Sequence, residues 1–253
     1  MLGAELTDKV VIITGGSRGI GRATALAAAA RGFRVVVGYA SNQAAANEVV
    51  ARIESSNGKA VAVKCDVARE EDILRLFEAA DKFGTLGALV NNAGIVGKSS
   101  RVDEMSAERI ERMMAVNVTG SMLCAREAVK RMSTRHGGKG GVIVNLSSVA
   151  SKLGSPNTYV DYAASKGAID SFTVGLAQEV AGEGIRVAGI RPGLIDTEIH
   201  ASGGDADRAH RLAPNVPMKR VGTAEEIANA IVWLMSDEAS YVTSAILDVS
   251  GGR

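Results

Sequence analysis

The sequence predicts an α/β fold: a doubly wound parallel sheet of about seven strands with helices on both faces. Three observations predict it. Short β-branched runs alternate with longer Ala-, Glu- and Arg-rich stretches; the runs are apolar throughout rather than every second residue; and the first run enters a glycine-rich loop that opens an Ala-rich helix. Continuous apolar strands suit a parallel sheet covered on both faces, and a βα alternation supplies the crossover helices. A closed eight-stranded barrel is the rival, but seven strand candidates and the glycine loop favour the open sheet.

The strand candidates are VVIIT at 10–14, RVVVG at 34–38, AVAVK at 60–64, LGALVNN at 86–92, GVIVNLSS at 141–148, IRVAGIRP at 185–192 and AILDV at 245–249. Between them lie segments with apolar residues at helical spacing, as in EDILRLFEAA. No fixed-period repeat, low-complexity block or Pro-rich linker interrupts the pattern, so one domain is expected over 1–253. In such a sheet the ligand crevice lies beyond the carboxyl ends of the strands, and the chemistry is sought there.

Composition narrows the partner. A net charge near +1 and 4% aromatic residues argue against a nucleic-acid surface, leaving a small molecule. Cys65 and Cys124 match no metal-ligand spacing, no metal is expected, and both read as free thiols of a reducing compartment. The N-terminus MLGAELTDKV lacks a cationic stretch followed by an apolar run, and no window reaches the roughly 20 apolar residues a spanning helix needs, so no membrane partner and a cytoplasmic location are expected.

The first strand runs into TGGSRGIG, Thr14 to Gly21. Glycines at 15, 19 and 21, with Ser17, Arg18 and Ile20 between them, follow a buried strand and open a helix, the setting in which a pyrophosphate approaches a helix N-terminus. At the end of the second strand a preference for NAD calls for an acid about 20 residues past the glycines. Gly38, Tyr39, Ala40, Ser41 and Asn42 supply none. A 2′-phosphate held by Arg18, Ser41 and Asn42, beside Tyr39, fits better, so NADP(H) is expected to be preferred, with NAD(H) possible. Asn91 to Gly94 end the fourth strand in small residues, so that the backbone of Asn92, Ala93 and Gly94 lies close to a nicotinamide ribose.

In YVDYAASKGA, Tyr162 stands one helical turn before Lys166, so a phenol and an ammonium share a face; Tyr159 stands two turns away. A phenol exchanges protons near neutrality only if a neighbouring cation favours its phenolate. Tyr162 is therefore the expected general acid/base. Successive strand residues point oppositely, and the residue pattern leaves open whether Ser147 or Ser148 faces the cleft.

Taken in order, TGGSRGIG, NNAG at 91–94, Asn117 in MMAVNVTG, NLSS at 145–148, YAASK at 162–166 and RPG at 191–193 resemble the short-chain dehydrogenase/reductase family over nearly the whole chain. The resemblance implies the Rossmann-type version of the fold and hydride transfer between a nicotinamide and a small-molecule carbonyl or alcohol. It implies a catalytic set of Asn117, Ser148, Tyr162 and Lys166, in which Asn117 holds a relay water, Ser148 bonds the substrate oxygen and Lys166 also grips the ribose. It further implies Asp66 and Val67 against adenine, a helix N-cap being the other reading of Asp66, and Pro192, Gly193, Ile195 and Thr197 around the carboxamide. The Ser148 to Tyr162 separation is one residue longer than the commoner family spacing, which GSPNTYVD absorbs as loop.

The likeness is greatest to β-ketoacyl-carrier-protein reductases and glucose dehydrogenase-like members, and implies a homotetramer. Gln178 and Glu183, where carrier-protein reductases tend to be basic, weaken the first. A non-catalytic nucleotide-sensing protein is the alternative of another class. The segment 198–217 is expected to form a substrate lid, with His200, Arg208, His210 and Arg211 as candidate polar contacts.

Overall fold

The computed structural model of the chain describes residues 9–205 and 207–253, with the backbone alone at position 200. The N-terminal MLGAELTD, position 206 of the expected lid and the His200 side chain lie outside the described residues.

Seven parallel strands form one sheet in the order β3-β2-β1-β4-β5-β6-β7. They are β1 (Lys9–Ile13), β2 (Arg34–Tyr39), β3 (Lys59–Lys64), β4 (Thr85–Asn91), β5 (Gly141–Leu146), β6 (Ile185–Pro192) and β7 (Ile246–Val249). The helices are α1 (Gly19–Ala30), α2 (Gln43–Ser55), α3 (Glu70–Phe83), α4 (Ala107–Met114), α5 (Gly120–Met132), the short α6 (Ala150–Leu153), α7 (Val160–Val180), the short α8 (Ile199–Ser202) and α9 (Arg208–Leu212), and α10 (Ala224–Met235).

The unbroken apolar character of the strands follows from helices on both faces. In β1, Val11 and Ile13 pack with Ala25, Val49 and Ile227 of α1, α2 and α10, while Val10 and Ile12 pack with Phe77, Ala125 and Ala177 of α3, α5 and α7. Each face is a separate core layer. Cys65 and Cys124 are free and buried in the second layer, and burial pushes both thiols up, Cys65 to about 12. Among the described residues no helix is long and apolar enough to cross a membrane, and no group of three or more His, Cys, Asp or Glu is placed to hold a metal ion.

Strand order reverses about β1, whose neighbours β2 and β4 depart in opposite directions, and a crevice opens there beyond the carboxyl ends. The glycine loop fills its floor. Gly15 adopts a left-handed φ of +63°, and a Cβ on Gly21 would stand 2.2 Å from the Gly15 carbonyl oxygen, so the loop folds this tightly only with glycine at both places. Asn92 pins it to β4: its Nδ2 donates to the carbonyls of Thr14 and Gly15 at 2.9 and 3.0 Å.

A buried polar ladder ties the central strands to the helix that carries Tyr162. Asn91 Nδ2 donates to Ser121 O and to Asn145 Oδ1, both at 3.0 Å; Asn145 Nδ2 donates to Thr173 Oγ1 at 2.9 Å; and that hydroxyl donates to Ile169 O at 2.7 Å. Each member is buried, so removing one leaves its neighbours desolvated and unpaired. Asn145→Ala is expected to lower the unfolding free energy by about 1–3 kcal/mol, read as a fall in the urea midpoint at unchanged slope; an unchanged midpoint would show that the ladder carries no net stability.

Candidate active site

Two adjoining cavities line the carboxyl ends of the strands and share Ile20, Asn92, Gly94, Thr197 and Ile199. One lies over the glycine loop and the ends of β2 and β3; the other holds Ser148, Tyr162 and Lys166. Together they make a single elongated groove, shaped for an extended ligand whose one end is bound by backbone and whose other end meets side-chain chemistry.

Tyr162 and Lys166 share a face of α7, as their spacing requires. The Lys166 Nζ lies 5.6 Å from the Tyr162 ring centroid and donates to the carbonyl of Leu146, the last residue of β5, at 2.7 Å. That bond across to the sheet aims the ammonium at the floor of the groove, where it stands 3.6 Å from the position a Cβ on Gly94 would take. Burial pushes Lys166 down to about 8, against the pull of Asp170 one turn further along α7. Burial pushes the Tyr162 phenol up to about 12, against a hydrogen bond with Ser148. Burial thus keeps the phenol neutral at physiological pH.

The two serines separate. Ser147 is buried and donates to the Lys166 main-chain carbonyl at 3.1 Å, which fixes α7 against the end of β5. Ser148 stands beside the phenol, and its Oγ accepts from the Ala150 amide at 3.1 Å. Tyr159 precedes α7 and meets Tyr162 edge-on, with ring centroids 5.6 Å apart and planes at 86°. It lines the same cavity, so it both packs and faces the pocket.

Asn117 sits in a π-turn, Ala115–Thr119, where the helical ladder widens. The side chain is buried and fully engaged: Oδ1 accepts from the Ile95 amide at 2.8 Å, and Nδ2 donates to Ile95 O at 3.0 Å and Ser165 Oγ at 3.1 Å. Ser165 in turn donates to Tyr162 O at 2.7 Å. The side chain clamps the loop carrying Gly94 to the helix carrying Tyr162.

Of the residues expected around a dinucleotide, Gly15, Ser17, Arg18, Gly19, Ile20, Ser41, Asn42, Asp66, Val67, Asn92, Ala93 and Gly94 line the second cavity, while Pro192, Gly193, Ile195 and Thr197 line the first. Gly21 shapes the loop from within. Tyr39 is the exception: its ring is buried in the core layer beneath β2, because strand alternation turns it away from the crevice. Asn42 Oδ1 caps α2 by accepting from Ala45 N at 3.0 Å, which commits its oxygen and leaves its amide as the donor.

Asp66 does not cap α3. One oxygen accepts from Ala68 N at 3.1 Å and the other from Arg112 at 2.9 Å; burial works against ionisation, but these two partners outweigh it and hold the carboxyl below its usual range. Arg112, which also lines the groove, carried no signal in the sequence because it reaches across from α4. The donor set fits a dinucleotide: a loop only glycines can fold, opening α1, with an ionised carboxylate farther along the groove.

The chain matches a family model described as enoyl-(acyl carrier protein) reductase over residues 15–253. It is 55% identical over 245 residues to the uncharacterized oxidoreductase YgfF of Escherichia coli, covering 96% of this chain and 99% of the relative. It is 42% identical to glucose 1-dehydrogenase 2 of Bacillus subtilis, covering 98% and 95%. Among solved structures, a doubly substituted short-chain dehydrogenase/reductase of Serratia marcescens superposes with a TM-score of 0.90 at 32% identity, covering 98% of this chain and 99% of that one.

Lys166 sets a pH dependence of stability. A lysine held near 8 in the folded protein binds fewer protons than the unfolded chain between that value and its ordinary 10.5. Stability therefore rises with pH across this window. Wild type is expected to gain in urea midpoint relative to Lys166→Met between pH 8 and 10; parallel midpoints would show that the amine titrates normally.

Proposed function

The chain belongs to the short-chain dehydrogenase/reductase family, oxidoreductases that act on CH–OH groups with NAD(P), and we propose that it interconverts a small-molecule carbonyl and alcohol with NADP(H), Tyr162 being the general acid/base. The observation that carries this reading is the convergence of the Tyr162 phenol, the Ser148 hydroxyl and the Lys166 ammonium in one cavity that opens into the glycine-loop groove.

When bound, the nicotinamide supplies or accepts the hydride. Ser148 donates a hydrogen bond to the substrate oxygen and holds it beside the phenol. In reduction Tyr162 gives its proton to that oxygen, and the ammonium of Lys166 stabilises the phenolate left behind; in oxidation the same proton returns. A phenol near 12 begins as a neutral donor, suited to the reductive direction. Asn117 keeps the Gly94 loop and α7 in register. The complete set favours an enzyme over a non-catalytic nucleotide sensor.

The preference for NADP(H) rests on the end of β2. Arg18 is exposed beside the groove, Ser41 and the Asn42 amide face it, Asp66 is paired with Arg112, and the groove's other carboxylate, Glu198, lies at Gly19 of the glycine loop. A 2′-phosphate would meet a guanidinium and hydroxyl and amide donors rather than an unpaired acid. The segment 198–217 is read as a lid over the cavity. The half-exposed Leu247 of β7 and the fully exposed Tyr241 support the reading of this sheet edge as an assembly face of a homotetramer.

Tyr162→Phe is expected to cut kcat by about 10²-fold or more while NADPH fluorescence titration shows retained binding; unaltered kcat would refute the assignment. The kcat/KM with NADPH is expected to exceed that with NADH, and Arg18→Ala to narrow the ratio. Equal values in wild type would overturn the cofactor preference.

A further inference from the structure

The outer wall of the Tyr162 cavity contains an arginine with no anionic partner among the described residues. Arg208, the first residue of α9, lies with its guanidinium 5.0 Å from the Tyr159 ring centroid, and Tyr159 in turn abuts Tyr162 at 5.6 Å. The guanidinium is thus two ring contacts from the phenol that handles the substrate proton, and Arg208 lines the same cavity. Its Nε is buried and, among the described residues, has no hydrogen-bond partner. Arg112, which also lines the groove, is by contrast answered by Asp66. Asp205, three residues earlier, lines the same cavity but is bonded to Arg211.

A desolvated guanidinium donor without an acceptor is costly, and a folded chain keeps one where a ligand completes it. The contact with Tyr159 holds the guanidinium at the cavity wall, and a guanidinium can take a carboxylate through two parallel hydrogen bonds. Arg253 adds a second cationic residue to the cavity lining. A wholly apolar ketone or a neutral sugar would leave the fork unsatisfied.

We propose that the substrate is an oxo acid, or the corresponding hydroxy acid, whose carbonyl lies at Tyr162 and Ser148 and whose carboxylate pairs with Arg208. This rests on the carbonyl reductase reading above and adds the substrate class. Arg208 is a specificity-determining residue: it binds the end of the substrate that does not react. In the reductive direction the carbonyl carbon gains a hydride and its oxygen a proton from Tyr162, while the carboxylate is unchanged.

The test compares 4-oxopentanoate, 5-oxohexanoate and 6-oxoheptanoate, each beside its primary amide, by NADPH absorbance in wild type and Arg208→Gln. Wild type is expected to favour the acid of the best-fitting pair in kcat/KM, and Arg208→Gln to lower the acid-to-amide ratio by roughly 10- to 100-fold, chiefly through KM. A wild-type ratio near one for all three pairs, a ratio unchanged in the variant, or preference for dihydroxyacetone phosphate over every oxo acid would overturn the proposal. A separate calorimetric titration with glutarate, which has no carbonyl to reduce, is expected to show binding to wild type in the presence of NADPH and at least tenfold weaker binding to Arg208→Gln; equal binding would also overturn it. If glutarate binds in this Arg208-dependent way while no carbonyl compound is turned over, the reductase reading fails and the anion site stands.

Discussion

The site depends on a lysine ammonium held in a largely desolvated groove. Lys166 cannot leave: its amine bonds the carbonyl at the end of β5, and its own carbonyl is held by Ser147 from the same strand end. Burial works against its charge and against ionisation of Tyr162, so each group disfavours its charged form when alone. Together they help each other. Two unit charges about 6 Å apart in an effective dielectric of about 20 attract by roughly 3 kcal/mol, about two pH units. That is comparable with the rise of Tyr162 from 10 to about 12, so the ammonium offsets what burial costs the phenolate.

The architecture around this pair is a device for holding two things still: the helix carrying Tyr162 and Lys166, and the loop carrying Gly94. The ladder from Asn91 through Asn145 to Thr173 fixes the first to the central strands. The π-turn at Asn117 fixes the second, bonding the Ile95 backbone on one side and Ser165 on the other. Arg109 adds an outer brace, its guanidinium pairing with Asp161, the residue before Tyr162, and with the Lys98 carbonyl. These are mostly buried polar contacts, strong because water does not compete for them.

Much of this was legible in the sequence because it rests on local patterning. All seven strands stand where the β-branched runs lie, with ends displaced by a residue or two; the first ends at Ile13 because Thr14 turns its hydroxyl to Val90 and accepts from Asn92. The glycine loop and the Tyr162–Lys166 spacing were readable for the same reason. Long-range pairings were not. Arg112 reaches Asp66 from α4, Arg208 reaches Tyr159 from α9, and neither contact has a sequence spacing that announces it. Tyr39 was misplaced because a strand's last residue can face either way, and the core layer took its ring. Asn117 was found as a residue, but its contacts with Ile95 and Ser165 were not, since they too join distant parts of the chain.

The most direct test of the coupling between ammonium and phenol is a pH titration of tyrosine labelled with carbon-13 at the ring carbon bearing oxygen, followed by NMR in the NADP+ complex. The account predicts that the Tyr162 resonance, identified by its loss in the phenylalanine variant, titrates well below 12 in wild type and shifts back upward when Lys166 is replaced by methionine. The same titration midpoint in both proteins would contradict it.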